Sequence, residues 1–272
     1  MFMDIITYFV PVDFSPCSYN ALHYTTMLAR CSQSMIKLFH VIDLEDLPDS
    51  ENPVVISFAV DRLVKKAEER MKSLREIISM DGIIVKSEIA MGNVPTQLMN
   101  QIETIKPNVI VMGKDAGNPI GARSLLKYIT RNSNVPVLMV PELHNPTMPS
   151  RAVLASDMKR NKEVEFGPFF DIIKKVSHEL SILNVKSSYF TNAKDALHWI
   201  NDLNETYGVN AKLLSQENKV GAKNIVDFVN ANKVDLLCTV RYDTSLYDKL
   251  FDRNFTNQLA SEAEVPVLVL KK

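Results

Sequence analysis

The apolar positions of this chain fall in short runs separated by stretches with helical spacing. Residues 5–12 are a nearly continuous apolar run, as expected of a strand covered on both faces. Ser15 and Pro16 then predict a helix start, because serine caps an N-terminus and proline fits the first turn. A second strand is expected at 37–42. Val55, Phe58, Leu63, Ala67, Met71, Leu74 and Ile78 recur at helical spacing and predict a long amphipathic helix, closed by Asp81 and Gly82. Strands follow at 83–89, 109–112 and 137–140, with helices at 96–105 and 124–132 between them. This alternation predicts a parallel sheet wound with right-handed crossovers.

The pattern then repeats. KPNVIVMG (106–113) and VPVLMV (135–140) are answered near the C-terminus by KVDLLCTV (233–240) and VPVLVL (265–270). Both halves open on an apolar run that ends in aspartate, Asp13 in one and Asp157 in the other. A period of half the chain predicts two tandem domains. We expect them at 1–143 and 151–272, joined by the Pro-rich linker HNPTMPS (144–150). In the second half, strands are expected at 153–155, 182–186, 211–214, 236–239 and 267–270, and helices at 169–180, 193–207, 222–231 and 254–263. The helix holding Trp199 is shorter than its counterpart, so this half reads as a trimmed copy. The fold class is therefore α/β: two tandem doubly wound domains, each a five-stranded parallel sheet flanked by helices.

Composition narrows the function classes. With 272 residues, 46% hydrophobic and 23% charged, the chain can bury ordinary globular cores. A net charge of -1 gives no basic face for nucleic acid. No apolar run approaches the length of a membrane span, and the N-terminus does not read as a signal peptide. We therefore expect a cytoplasmic protein without membrane or nucleic-acid partners. Cys17, Cys31 and Cys238 are scattered, which excludes a disulfide framework and a cysteine-rich metal site. The histidines, His23, His40, His144, His178 and His198, lie on different predicted elements, and no metal site is identified. There is no nucleophile elbow, Walker motif or catalytic triad, so a conventional enzyme is not expected.

In open parallel sheets, ligands sit beyond the carboxyl ends of the strands, where strand order reverses. That rule selects residues 13–15 and 113–124 in the first half, and Asp157 with residues 240–254 in the second. VPVDFS (10–15), LFHVI (38–42), VIVMG (109–113) and NVPVL (134–138) stand in the order and approximate spacing of the universal stress protein family, which the chain resembles. The resemblance implies an adenine nucleotide alpha hydrolase-like fold and, as cofactor, ATP or another adenine nucleotide. It implies that Asp13 meets the base or ribose, that Val41 lines the adenine pocket, and that Gly113 begins the phosphate loop.

The family's loop pattern is glycine, two residues, glycine, nine residues, then Gly-Ser or Gly-Thr. Here Gly113 fits, but the second position falls on Ala116, with Gly117 one place late. The final pair falls on Arg123 and Ser124, with Gly121 nearby, and the loop is about three residues short. Arg123 either blocks the backbone cradle or binds phosphate directly. In the second half Val240 replaces the first glycine, and RYDTSLYDKLFD (241–252) holds none, so no working phosphate loop is expected there. Two main readings follow: a nucleotide-sensing stress protein, or a protein-interaction scaffold of the same fold. A slow ATPase is a weaker third. Single-domain relatives pair through their last strand, so the resemblance implies that 135–140 and 265–270 pair within this chain.

Overall fold

The computed structural model describes residues 5–114, 122–156, 164–176, 179–184, 193–214, 222–241 and 262–271. In the first half, β1 (Thr7–Pro11), β2 (Met35–Ile42), β3 (Ile84–Met91), β4 (Val109–Lys114) and β5 (Val137–Pro141) alternate with α1 (Pro16–Ser32), α2 (Pro53–Ser79), α3 (Val94–Ile105) and α4 (Ala122–Asn132). The second half supplies β6 (Arg151–Ser156), α5 (Gly167–Val176), β7 (Glu179–Asn184), α6 (Ala193–Tyr207), β8 (Ala211–Leu214), α7 (Ala222–Ala231), β9 (Leu236–Arg241) and β10 (Val267–Lys271).

The strands form one sheet in the order β3-β2-β1-β4-β5-β10-β9-β6-β7-β8. Read outward from its centre, each half has the same order. All pairs within a half are parallel. The central pair is antiparallel, with Val267 opposite Met139, Leu268 opposite Leu138 and Val269 opposite Val137. The α/β parallel-sheet class read from the sequence is the fold observed, and the two halves merge into a single ten-stranded sheet.

The strand sequences explain the layering. Tyr8, Phe9 and Val10 of β1 are all fully buried, so this strand is covered on both faces. Right-handed crossovers put α1 and α2 on one face and α3 and α4 on the other. α1 packs on β4 and β5 and also touches α5 of the second half. Ser15 caps α1, its hydroxyl accepting from the Ser18 N–H, and the helix closes on Gln33 in the left-handed conformation at φ 50°. Such a serine cap stabilises a helix by about 1 kcal/mol.

Two elements differ from the sequence pattern. The helix expected at 169–180 ends at Val176, and Leu180 instead lies in β7, which begins at Glu179. Apolar residues at helical spacing ran straight into the strand's own apolar run, so periodicity alone gave no stop. In α2, Ala67, Met71 and Ile78 are buried as the stripe requires, but Val55 and Phe58 are exposed, Phe58 at 72%. The first turns of this helix leave their apolar stripe uncovered among the described residues. The helix expected at 254–263 lies outside the described residues, apart from its last two positions.

Between β5 and β6 the chain runs back along α1. Asn20 Nδ2 donates to the carbonyls of Pro141 (2.9 Å) and His144 (2.8 Å), fixing where this connection leaves the sheet. No helix among the described residues is long and apolar enough to cross a membrane.

Candidate functional site

The strand order reverses between β1 and β4, and the C-terminal ends of β1, β2 and β4 open there into a cavity of about 830 Å³. Pro11, Val12 and Asp13 leave β1 along one wall, and Phe39 and Val41 of β2 stand beside them. Met112 and Gly113 close the β4 side. The starts of α1 and α3 contribute Cys17, Ser18, Val94 and Thr96, while Leu125 and Tyr128 reach in from α4. Glu142, just past β5, completes the rim. The volume lies within the roughly 300–1,000 Å³ usual for small-molecule sites.

Asp13 is held by the turn that starts α1. Its Oδ1 accepts from the Ser15 N–H at 2.9 Å and from Ser15 Oγ at 2.6 Å. Burial acts to raise its pKa, but the hydrogen bonds from Ser15 and Ser18 outweigh it and hold the carboxyl below its ordinary 3.8. The group is therefore an anion at neutral pH, with both described bonds to Ser15 falling on one oxygen.

The turn itself is strained. Phe14 has φ 62°, a conformation that costs a non-glycine residue roughly 1–2 kcal/mol. Packing offsets this: the Phe14 ring lies 4.5 Å from the His40 ring, and the Arg70 guanidinium sits 5.1 Å from its centroid. His40 in turn bonds the Val12 carbonyl through Nδ1 at 2.7 Å. A carbonyl only accepts, so Nδ1 carries the proton. Burial keeps the imidazole's pKa below the usual 6.5, although the Val12 bond pulls the other way. His40 is thus a positioning residue, bracing the strand end that carries Asp13.

Gly113 has a packing reason of its own. A Cβ placed there would meet the Cys17 carbonyl oxygen at 2.4 Å and Cys17 Sγ at 2.5 Å. Only glycine lets β4 approach the first turn of α1 this closely. In the second half the counterpart, Val240, is fully buried without difficulty. Among the described residues, the first helix of that half begins at Gly167, eleven residues after β6 ends at Ser156, whereas α1 begins five residues after Pro11.

Of the residues singled out by sequence, the structure brings Asp13, Val41 and Gly113 to one cavity. Gly117 and Gly121 lie outside the described residues. Arg123 and Ser124 stand in the first turn of α4, and their side chains lie outside the described set. Asp157 also lies outside it. Sequence reasoning missed Cys17, Tyr128, Glu142 and the start of α3. That last had a legible signal: Asn93 followed by Pro95 is a cap-and-proline start, and Asn93 Oδ1 does accept the Thr96 N–H at 3.2 Å. Among the described residues no cluster of His, Cys, Asp or Glu is placed to hold a metal ion.

The sequence profile of the Universal stress protein family matches residues 8–141, the half that carries this cavity. Through that half the chain belongs to the universal stress protein family. A universal stress protein from Archaeoglobus fulgidus shares the fold across 99% of both chains, with a TM-score of 0.76 at 18% identity. A putative universal stress protein from Pseudomonas aeruginosa aligns over 98% of this chain and 94% of its own, with a TM-score of 0.59 at 15% identity. A functionally unknown Pseudomonas aeruginosa protein aligns over 98% and 93%, with a TM-score of 0.55 at 14% identity. No curated protein matches. The whole-chain alignment to the Archaeoglobus protein means that the universal stress protein fold accounts for the second half as well as the first.

Proposed function

We propose that this universal stress protein acts in the cytoplasm as a stress-response binding protein whose first half senses an adenine nucleoside or nucleotide. One observation carries the reading: an ionised Asp13, braced by Ser15 and His40, on the wall of a cavity at the sheet's switch point. A carboxylate there suits ribose hydroxyls as donors, and the Val41 wall suits the flat base. The second half serves as a fixed companion that covers the β5 edge. None of the chain's three cysteines, Cys17, Cys31 and Cys238, forms a disulfide, which suits a reducing compartment.

Calorimetric titration of the full chain with adenine nucleotides tests this. Binding that Asp13→Ala abolishes is the expected result; binding unchanged in that variant would place any ligand elsewhere. The second reading, a protein-interaction scaffold, draws on the exposed Val54, Val55 and Phe58 at the start of α2. It gains if no nucleotide binds.

A further inference from the structure

We propose that the exposed start of α2 is a docking surface for a basic amphipathic helix of a partner protein. This rests on the scaffold reading above and adds the chemistry of the partner; it does not depend on a ligand in the cavity. Val54, Val55 and Phe58 stand exposed on the first turns of α2, and Phe58 is the most exposed aromatic ring among the described residues. Val54 and Phe58 are one helical step of four residues apart, so they form a single ridge with Val55 beside it. From Phe58 to the buried Ala67 is about two and a half turns. The ridge therefore faces away from the side of α2 that packs on β2 and β3.

The ridge is bordered by charge of one sign. Residues 43–60 hold Asp43, Glu45, Asp46, Asp49 and Glu51 and no lysine, arginine or histidine. The whole chain carries a net charge of only -1, so this is a local concentration of acids. Glu45, Asp46, Asp49 and Glu51 are exposed, and among the described residues none of the five acids forms an ion pair. Asp43 is engaged in the chain itself: it caps the single 3-10 turn at Leu44–Asp46, its Oδ1 accepting the Glu45 N–H at 3.1 Å. Leu44 on that turn is exposed as well and sets another apolar side chain among the acids. The N-terminus of α2 does little to offset them. Pro53 has no N–H, and the Val54 N–H already bonds Asn52 Oδ1 at 3.0 Å.

Charge selects the occupant. A second copy of this chain, meeting the ridge across a two-fold axis, would bring the two acidic runs together. An anionic lipid surface would repel the same run. A helix with aliphatic side chains along one face and lysine or arginine beside them meets both demands: its apolar face covers Phe58 and its cations reach the acids.

The test uses the full chain and three labelled helical peptides of about eighteen residues, sharing one leucine face and bearing lysine, glutamine or glutamate elsewhere. The lysine peptide is expected to bind at least about tenfold more tightly than the other two, and rising salt should weaken it. Phe58→Ser should weaken that binding by about tenfold or more, as should the combined variant Asp46→Asn, Asp49→Asn, Glu51→Gln. These side chains are exposed, so the melting temperature of each variant should stay near that of the wild type. Glutamine or glutamate peptides that bind as tightly as the lysine peptide, and still need Phe58, overturn the basic partner and leave the scaffold surface standing. Binding that Phe58→Ser leaves unchanged, or no binding of any peptide, overturns both and leaves the nucleotide reading untouched. Sedimentation of the free chain and flotation on phosphatidylcholine vesicles test the other occupants. A dimer, or vesicle binding, that Phe58→Ser abolishes would give the ridge to a second copy or to a membrane and overturn the proposal.

Discussion

Lys114 and Arg241 hold equivalent places in the two halves, and each reaches across to backbone carbonyls of the other half just ahead of its last strand. Each is the last residue of its strand, β4 or β9, and each is buried. Lys114 Nζ donates to the carbonyl of Ala263, directly after the helical Glu262 and just ahead of β10. Arg241 donates to the carbonyls of Thr130 and Arg131 in the last turn of α4, just ahead of β5. Helix ends leave such carbonyls without intrahelical partners and carry partial negative charge. The repeat thus places one cation from each half on backbone carbonyls of the other, flanking the β5–β10 pair. Lys114→Met and Arg241→Met should each destabilise the chain by about 1–3 kcal/mol, the cost of orphaning buried groups. The two costs should add, since Ala263 accepts in one case and Thr130 and Arg131 in the other. Urea denaturation of both single variants and the double variant checks this; losses under about 0.5 kcal/mol would show the caps to be incidental.

Gly113→Ala should cost about 1–3 kcal/mol through overpacking, whether or not a ligand is present. The overlap involves the Cys17 backbone as well as its sulfur, with the carbonyl carbon at 2.7 Å from the added atom. Cys17→Ala should therefore fail to rescue the melting temperature of Gly113→Ala. Full rescue would mean that sulfur alone sets the limit. Val240→Gly is the control in the other half, where lost packing rather than relief is expected.

The strand positions were legible because each strand is an apolar run bounded by turn chemistry, and the repeat doubled the signal. Strand ends located the cavity for the same reason: Asp13 and Gly113 are simply the residues at which β1 and β4 give out. The purpose of Gly113 was not legible. Glycine at a strand end reads as a phosphate cradle or as close packing, and only the position of Cys17 distinguishes them. Glu142, Tyr128 and Lys114 were hidden because their roles depend on contacts between elements remote in sequence. The exposure of Phe58 was hidden because spacing marks a stripe without showing what covers it.

His40 should make stability depend on pH near neutrality. Burial lowers its folded pKa below 6.5; Asp13 and Asp46 oppose the shift, and Arg70 adds to it. As pH falls through 6.5 the unfolded chain takes up a proton that the folded chain refuses, so stability is lost until the folded pKa is reached. His144 is lowered by burial as well and contributes in the same direction. The wild-type melting temperature should fall between about pH 7 and 5.5, and His40→Gln should fall less over that interval. An identical pH dependence in the two proteins would assign the whole effect to His144 and other groups.

Cutting the chain after residue 143 should convert an intramolecular pairing into an intermolecular one. β5 lies at the centre of the sheet only because β10 pairs with it. Without the second half, residues 137–141 become an edge of unpaired backbone groups whose side chains, apart from Pro141, are buried in the intact chain. Such an edge is a template for another strand. The strand available is a second copy of β5, and the antiparallel geometry that accepts β10 satisfies a two-fold dimer. Asn134, which takes a hydrogen bond from Lys271 Nζ at 3.0 Å, would lose that partner, as would the Thr130 carbonyl bonded by Arg241. The dimer should therefore be weaker than the covalent pairing it replaces. Sedimentation of the fragment across a concentration series should show a reversible dimer, and Met139→Pro should prevent it by removing a donor from the edge that faces β10. A fragment that stays folded and monomeric at every concentration would mean that the β5 edge does not seek a partner.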